Sequence, residues 1–172
     1  MLEEDKNIVL VGPMGVGKST IGRMLAQLTQ REFKDTDHVV EERTGADIPW
    51  IFDVEGEEGF RARETSVLQD LLQVRNLVLA TGGGIVTREE NRELLNNNSV
   101  VVYLTASVEQ LYKRTRKDKK RPLLQVENPK AKIEGLIAER APLYESVSHY
   151  QVSTDNKTPK AVAEKIFSLI KQ

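Results

Sequence analysis

The apolar positions of this chain switch between two periods along its length. Asn7-Ile-Val-Leu-Val11, Leu77-Val-Leu-Ala80 and Val100-Val-Val-Tyr-Leu104 are near-continuous apolar runs of strand length, the pattern of strands covered on both faces. Glu32-Phe-Lys-Asp35 and Tyr150-Gln-Val-Ser153 are two weaker strand candidates. Between the first two, Ile21, Met24, Leu25 and Leu28 follow the i, i+3, i+4, i+7 spacing of a one-faced helix. Residues 38 to 73 are helix-prone but interrupted at Thr44-Gly45, Pro49 and Gly56, which predicts short helices and then a long one. The long one carries Phe60, Glu64, Val67, Leu68, Leu71 and Leu72 on one side. Further helices are predicted over 88–95, around Val108, Leu111 and Tyr112, and over about 130–140. A last one opens at Thr158-Pro159, an N-cap followed by a proline at the first helical position. Strands separated by helices imply an α/β chain with a parallel sheet covered on both faces. Ligands in such sheets bind beyond the carboxyl ends of the strands.

A length of 172 residues suits one domain, here 1–172, rather than two. A net charge of −1 offers no global attraction to nucleic acid or to a membrane surface. Zero cysteines exclude a disulfide scaffold, a thiol nucleophile and a cysteine zinc site. The acidic start, Met-Leu-Glu-Glu-Asp-Lys, has no apolar core of a secretory signal, and no apolar run approaches the ~20 residues of a membrane span. A cytoplasmic location is the expectation.

Residues 12 to 20, Gly-Pro-Met-Gly-Val-Gly-Lys-Ser-Thr, fit the phosphate-loop pattern G-x-x-x-x-G-K-[ST] at every fixed position. Glycines admit the backbone turns that let successive N–H groups form an anion nest. In this motif Lys18 reaches the β- and γ-phosphates and the Ser19 hydroxyl ligates Mg²⁺. An apolar strand precedes the loop and a helix follows, so the phosphates would sit at a helix N-terminus, where the macrodipole favours negative charge.

Three other segments follow strand candidates or carry unusual charge. Asp35 and Asp37 alternate, and on an extended segment they would share a face, one serving a metal's water shell and the other orienting a hydroxyl. A solvated acidic turn is the alternative. An aspartate of ordinary pKa, ~3.9, is a poor base for an alcohol, but in a loose phosphoryl-transfer transition state it need only align the hydroxyl and take the proton late. Thr81-Gly-Gly-Gly84 ends the third strand with no aspartate in the usual place of a second metal motif, and its bare backbone N–H groups suit close ligand contact. Residues 113–121 carry seven basic side chains and one acid, so the rest of the chain carries about −7. That run reads either as a mobile lid with an arginine at the transferring group or as a nucleic-acid patch. The absence of interleaved aromatics argues against base stacking. Arg61 and Arg140 are, alone, ordinary arginines.

Taken together, these blocks resemble shikimate kinases nearly end to end. The carrying motifs are the phosphate loop, Asp-Thr-Asp at 35–37, Gly-Glu-Glu-Gly-Phe-Arg at 56–61, Thr-Gly-Gly-Gly at 81–84, Arg-Pro-Leu-Leu at 121–124 and Glu-Arg-Ala-Pro-Leu-Tyr at 139–144. The resemblance implies a P-loop kinase fold of the nucleoside-monophosphate-kinase kind, with a central five-stranded parallel sheet flanked by helices. It adds a small substrate-binding subdomain at about 35–64 and a lid at about 114–127. It implies transfer of the γ-phosphoryl group of ATP to the 3-hydroxyl of shikimate, a step of chorismate and aromatic amino-acid biosynthesis, by a cytoplasmic monomer without nucleic-acid or membrane partners. By position, Gly15, Val16, Gly17, Lys18, Ser19 and Thr20 would hold ATP, with Arg114 packing on adenine and Arg121 reaching the phosphates. Ser19, and Asp35 through water, would hold Mg²⁺. Asp37 would bind the reacting hydroxyl, and Arg61, Arg140 and Gly83 the substrate carboxylate. Lys18, Asp37 and Arg121 would be the catalytic set, and Thr154-Asp-Asn-Lys-Thr-Pro159 falls where the adenine pocket closes.

Paired arginines would suit gluconate as well as shikimate. A GTP-dependent switch is disfavoured, because Asn156-Lys157 lacks the aspartate two residues on that reads guanine. His38 and His149 form no ligand spacing, and Trp50 is read as core of the subdomain.

Overall fold

Five strands form one sheet: β1 (Asn7–Val11), β2 (Glu32–Asp35), β3 (Leu77–Ala80), β4 (Ser99–Thr105) and β5 (Tyr150–Ser153). The computed structural model describes residues 5–116 and 121–171. Sheet order is β2-β3-β1-β4-β5, every pair is parallel, and Val9 lies level with Leu79 on one side and Val101 on the other. The helices are α1 (Lys18–Thr29), α2 (Thr36–Thr44), α3 (Ile48–Gln73), α4 (Glu89–Asn98), α5 (Val108–Thr115), α6 (Pro129–Val147) and α7 (Pro159–Lys171). Residues 117–120 of the basic run, and with them part of the expected lid, lie outside the described residues.

Strand alternation divides the interior into two cores. Val9, Val11, Leu79, Val101 and Tyr103 face one side, against α3, α4 and the end of α6. Ile8, Leu10, Val78, Val102 and Leu104 face the other, against α1, α5 and α7. Burial on both faces is why the central strands read as continuous apolar runs.

Two apolar expectations fail, for reasons of angle. The covered stripe of α1 runs through Lys18, Ile21, Gly22, Leu25 and Ala26. Leu28 falls at the edge of that stripe and is 41% exposed. Trp50 is not core: it is 57% exposed. On the first turns of α3, Ile51 is buried and Ile48 and Phe52 pack against that core, so Trp50 is left on the opposite side.

The interruption expected at Gly56 lies inside α3 as a kink, with φ 75° and ψ 177°. A Cβ there would meet nothing, so backbone conformation, not space, calls for glycine. The kink separates an arm, Ile48–Glu55, from the core-facing half that carries Phe60, Arg61 and Glu64.

Candidate active site

The carboxyl ends of β1, β2 and β3 lead directly into the phosphate loop, Asp35 and Thr81, so three of the expected segments meet at one end of the sheet. Gly15 and Gly17 adopt φ of 84° and 105°, turns that a side chain would strain. Lys18 is buried, with its Nζ donating to the carbonyls of Gly12 at 2.6 Å and Pro13 at 2.9 Å. Burial, reinforced by the nearby charge of Arg121, pulls its pKa down to about 7. From the outer side, Arg114 Nη1 donates to the carbonyls of Gly15 at 3.3 Å and Val16 at 3.0 Å.

Asp35 and Asp37 do not alternate along one extended segment. Asp35 ends β2 and caps α2, accepting from the backbone N–H of Asp37 at 3.0 Å and of His38 at 3.4 Å. Asp37 is already in the first helical turn. The turn divides their surroundings: Ser19 Oγ donates to Asp35 Oδ2 at 2.5 Å, whereas Asp37 Oδ1 is buried with no partner among the described residues. The carboxyl of Asp37 does not keep an ordinary pKa. Burial, with Glu64 and Asp35 as like-charged neighbours, pushes it up to about 7.

Across the sheet end stands Arg61, 6% exposed, whose Nη1 donates to Glu64 Oε1 at 3.1 Å. Glu64 itself is fully buried, and burial raises its pKa above the usual carboxylate range against the pull of Arg61. Arg140 of α6 is 4% exposed. The triple glycine lies between these groups. A Cβ on Gly82 would press on Asp37 and Glu64, one on Gly83 would stand 3.6 Å from Arg140 Nη1, and one on Gly84 would overlap Arg61. The N–H of Gly82 is not bare as expected: it donates to the buried Thr36 Oγ1 at 3.2 Å.

Two clefts result. One is lined by Phe60, Arg61, Glu64 and Arg140 among others. The second is the phosphate-loop recess, lined by Gly15, Gly17, Lys18, Ser19, Thr20, Asp35 and Arg114 among others. Asp37, Gly82, Gly83 and Arg121 line both, so the two clefts share a wall. Four buried polar atoms lack partners here: Asp37 Oδ1, Arg61 Nε, Glu64 Oε2 and Arg140 Nε. Orphaned buried groups of both signs in one cavity are the mark of a polar ligand's seat.

Sequence reasoning assigned no role in the site to Glu64 or Thr36. Glu64 did carry a signal: a carboxylate in line with Phe60, Val67, Leu68 and Leu71, three residues after an arginine. Thr36 carried none, because its partner is 46 residues away. His38 pairs with Glu42 at an exposed surface, and His149 Nδ1 accepts from Val101 N–H at 3.0 Å, so neither belongs to the site.

Residues 14–171 match the protein family described as shikimate kinase. A shikimate kinase of Vibrio campbellii is 57% identical over 171 residues, 99% of each chain. The structure of a shikimate kinase from Acinetobacter baumannii in complex with shikimate superposes with a TM-score of 0.95 at 54% identity, covering 96% of this chain and 93% of that one. A gluconokinase from Sinorhizobium meliloti has a TM-score of 0.60 at 15% identity, covering 96% of this chain and 91% of that one, a likeness of fold alone.

Proposed function

The chain belongs to the shikimate kinase family, and from that premise we propose how its residues divide the work. It is an enzyme of aromatic amino-acid biosynthesis that phosphorylates shikimate with ATP. The acceptor in our reading is the 3-hydroxyl.

The observation that carries the division is the shared wall. A donor phosphate in the loop recess and an acceptor hydroxyl in the neighbouring cleft would meet at Asp37, Gly82, Gly83 and Arg121. Gly15 to Thr20 hold the triphosphate, with Lys18 turning the third N–H of its ammonium to the phosphate oxygens while the other two stay on the Gly12 and Pro13 carbonyls. Arg61 and Arg140, two planar forks of which each has an unpartnered buried Nε, bind the substrate carboxylate together with the Gly83 backbone. Asp37 accepts the hydrogen bond of the reacting hydroxyl. As the hydroxyl oxygen bonds to the γ-phosphorus, the bond from phosphorus to the ADP oxygen breaks and the hydroxyl proton passes to the Asp37 carboxylate. Arg121 meets the charge on the transferring group, and Arg114 packs on adenine. The arm and segment 35–64 act as the substrate-binding part, and 114–127 as the lid.

A hard cation fits beside the loop. Ser19 and Asp35 bring oxygen donors within 2.5 Å of each other, and no cluster of three His, Cys, Asp or Glu that would cage a metal occurs among the described residues. That suits Mg²⁺, which keeps water and phosphate ligands, with Asp35 acting through water. Bound there, Mg²⁺ would neutralise charge on the β- and γ-oxygens. No helix among the described residues is long and apolar enough to cross a membrane. A cytoplasmic monomer completes the reading.

The deciding experiment is ADP release with Mg-ATP and either shikimate or gluconate, followed by assignment of the phosphorylated position by phosphorus NMR. Turnover of gluconate at the rate of shikimate, or phosphate on another hydroxyl, would overturn the substrate reading. Activity undiminished by EDTA would overturn the metal.

A further inference from the structure

Tyr144 sits behind the substrate cleft. It is 1% exposed, and its ring packs on Tyr103 of β4 with centroids 4.9 Å apart and planes at 30°. Its Oη donates to the carbonyl of Gly83 at 2.5 Å. The guanidinium of Arg140, one helical turn earlier on α6, lines the same small cavity as this phenol, and its charge acts on the phenol oxygen. A phenol has a single proton, so once that proton is committed to the Gly83 carbonyl only lone pairs remain for the neighbouring arginine. Burial pushes the phenol's pKa up to about 12, which keeps the proton in place at neutral pH.

The two groups that Tyr144 ties together are the two that meet the substrate's carboxylate from this side. They are also close to each other, since Arg140 Nη1 is 3.6 Å from the point where a Cβ on Gly83 would stand. Arg140 Nε has no partner and its guanidinium makes no ion pair with an acid among the described residues, so the fork's direction depends on few neighbours. The Gly83 peptide has none of the side-chain bulk that would hold it in place. We propose that Tyr144 is a positioning residue for the substrate: its hydroxyl holds the Gly83 peptide and the Arg140 fork in one fixed relation, without touching the substrate itself. This inference rests on the assignment of Arg140 and Gly83 to the shikimate carboxylate.

The position favours an effect on substrate affinity rather than on chemistry. The phenol bonds Gly83 and lines a cavity with Arg140, Pro13 and Met14, and none of Gly15 to Thr20, the residues assigned to the triphosphate, lines that cavity. Loss of its hydroxyl frees both carboxylate partners at once, while the ring still fills its place against Tyr103.

Tyr144→Phe is the test, with initial rates measured against shikimate and ATP separately. We expect the KM for shikimate to rise about tenfold, with kcat and the KM for ATP within about twofold of wild type. In an Arg140→Ala background the same substitution should add little, because the fork it directs is gone. An unchanged KM for shikimate would overturn the proposal. So would equal losses in all three parameters, which would mark a purely structural side chain. Should Tyr144→Phe fail to fold, 3-fluorotyrosine incorporated into the otherwise native enzyme gives a second reading. The Tyr144 fluorine line is assigned after single Phe substitutions at Tyr103, Tyr112 and Tyr150, and it should shift on adding shikimate. A line unmoved at saturating shikimate would overturn the proposal. Failure of the wild-type enzyme to phosphorylate shikimate would instead strike the substrate reading.

Discussion

Asp37 Oδ1 and Glu64 Oε2 each come within 2.8 Å of the point where Gly82 would carry a Cβ, and neither oxygen has a partner among the described residues. Two carboxylates thus converge on the one backbone position that has no side chain to separate them. Arg61 holds only the other oxygen of Glu64, and burial still raises the Glu64 pKa above its ordinary 4.5.

A pH dependence of stability follows from Glu64. An acid whose pKa is higher folded than unfolded retains a proton in the fold that the unfolded chain has lost. Its contribution is therefore fully present below about 4.5 and lost as pH rises through the folded value. Glu64→Gln removes that ionisation. The thermal midpoint of the ligand-free variant, relative to wild type, should climb as pH rises from about 4.5 towards neutrality. A difference that stays flat over this range would mean that Glu64 is ionised throughout.

Lys18→Ala should abolish turnover while leaving the circular dichroism spectrum native. Charge stabilisation at the β- and γ-phosphates carries most of the catalysis in this chemistry. A folded variant keeping more than about a tenth of wild-type kcat would contradict the role given to Lys18.

Asp37→Asn should lower kcat by about 10² or more, as for a lost proton acceptor. Asp35→Asn should instead raise the Mg²⁺ concentration needed for half-maximal rate, because Asp35 bonds Ser19 and not the acceptor side. Magnesium titrations of both variants distinguish the roles. Equal defects independent of metal would merge them.

Arg61→Ala and Arg140→Ala should each raise the KM for shikimate far more than that for ATP. Each removes a charge-assisted partner worth roughly 1.5–3 kcal/mol, or one to two decades in affinity. Since both address one anion, the double variant should lose less than the sum. An amide analogue of shikimate should bind wild type weakly and hardly register either change. Steep loss for the amide as well would point the arginines at another group.

Gly84→Ala tests how tightly Arg61 is seated. Gly84 has φ −94° and ψ 10°, which alanine adopts freely, so only the neighbour objects. The new methyl would lie 2.5 Å from Arg61 Cζ and Nη1. The guanidinium must then shift against Glu64, and the KM for shikimate should rise at least severalfold with little change for ATP. Unchanged kinetics would mean that Arg61 moves aside at no cost to binding.

The parts of this molecule that the sequence revealed are those set by local rules. The phosphate loop, the five strands and the cap at Thr158-Pro159 depend on neighbours a few residues away. Asp37, Arg61 and Arg140 were named through the resemblance, and the fold brings them to one cavity. What eluded sequence reasoning depends on distant partners. Thr36 acquires its purpose from Gly82, and the raised pKa of Asp37 comes first from its burial in the fold and then from Glu64 across the cleft. Trp50 and Leu28 show the same limit from the apolar side. A helical period tells which residues share a face, but not where the covering neighbours stop.

The phosphate loop is tied at both flanks by cations of its own chain, Lys18 on the Gly12 and Pro13 carbonyls and Arg114 on those of Gly15 and Val16. A trans peptide sets its C=O and N–H in opposite directions, so each carbonyl held on one side commits the following amide to the other. The conformational entropy of ordering this loop is therefore lost during folding, before any nucleotide arrives. A nucleotide meets a seat whose dipoles are already aimed, and its binding free energy is not diminished by the freezing of a flexible chain.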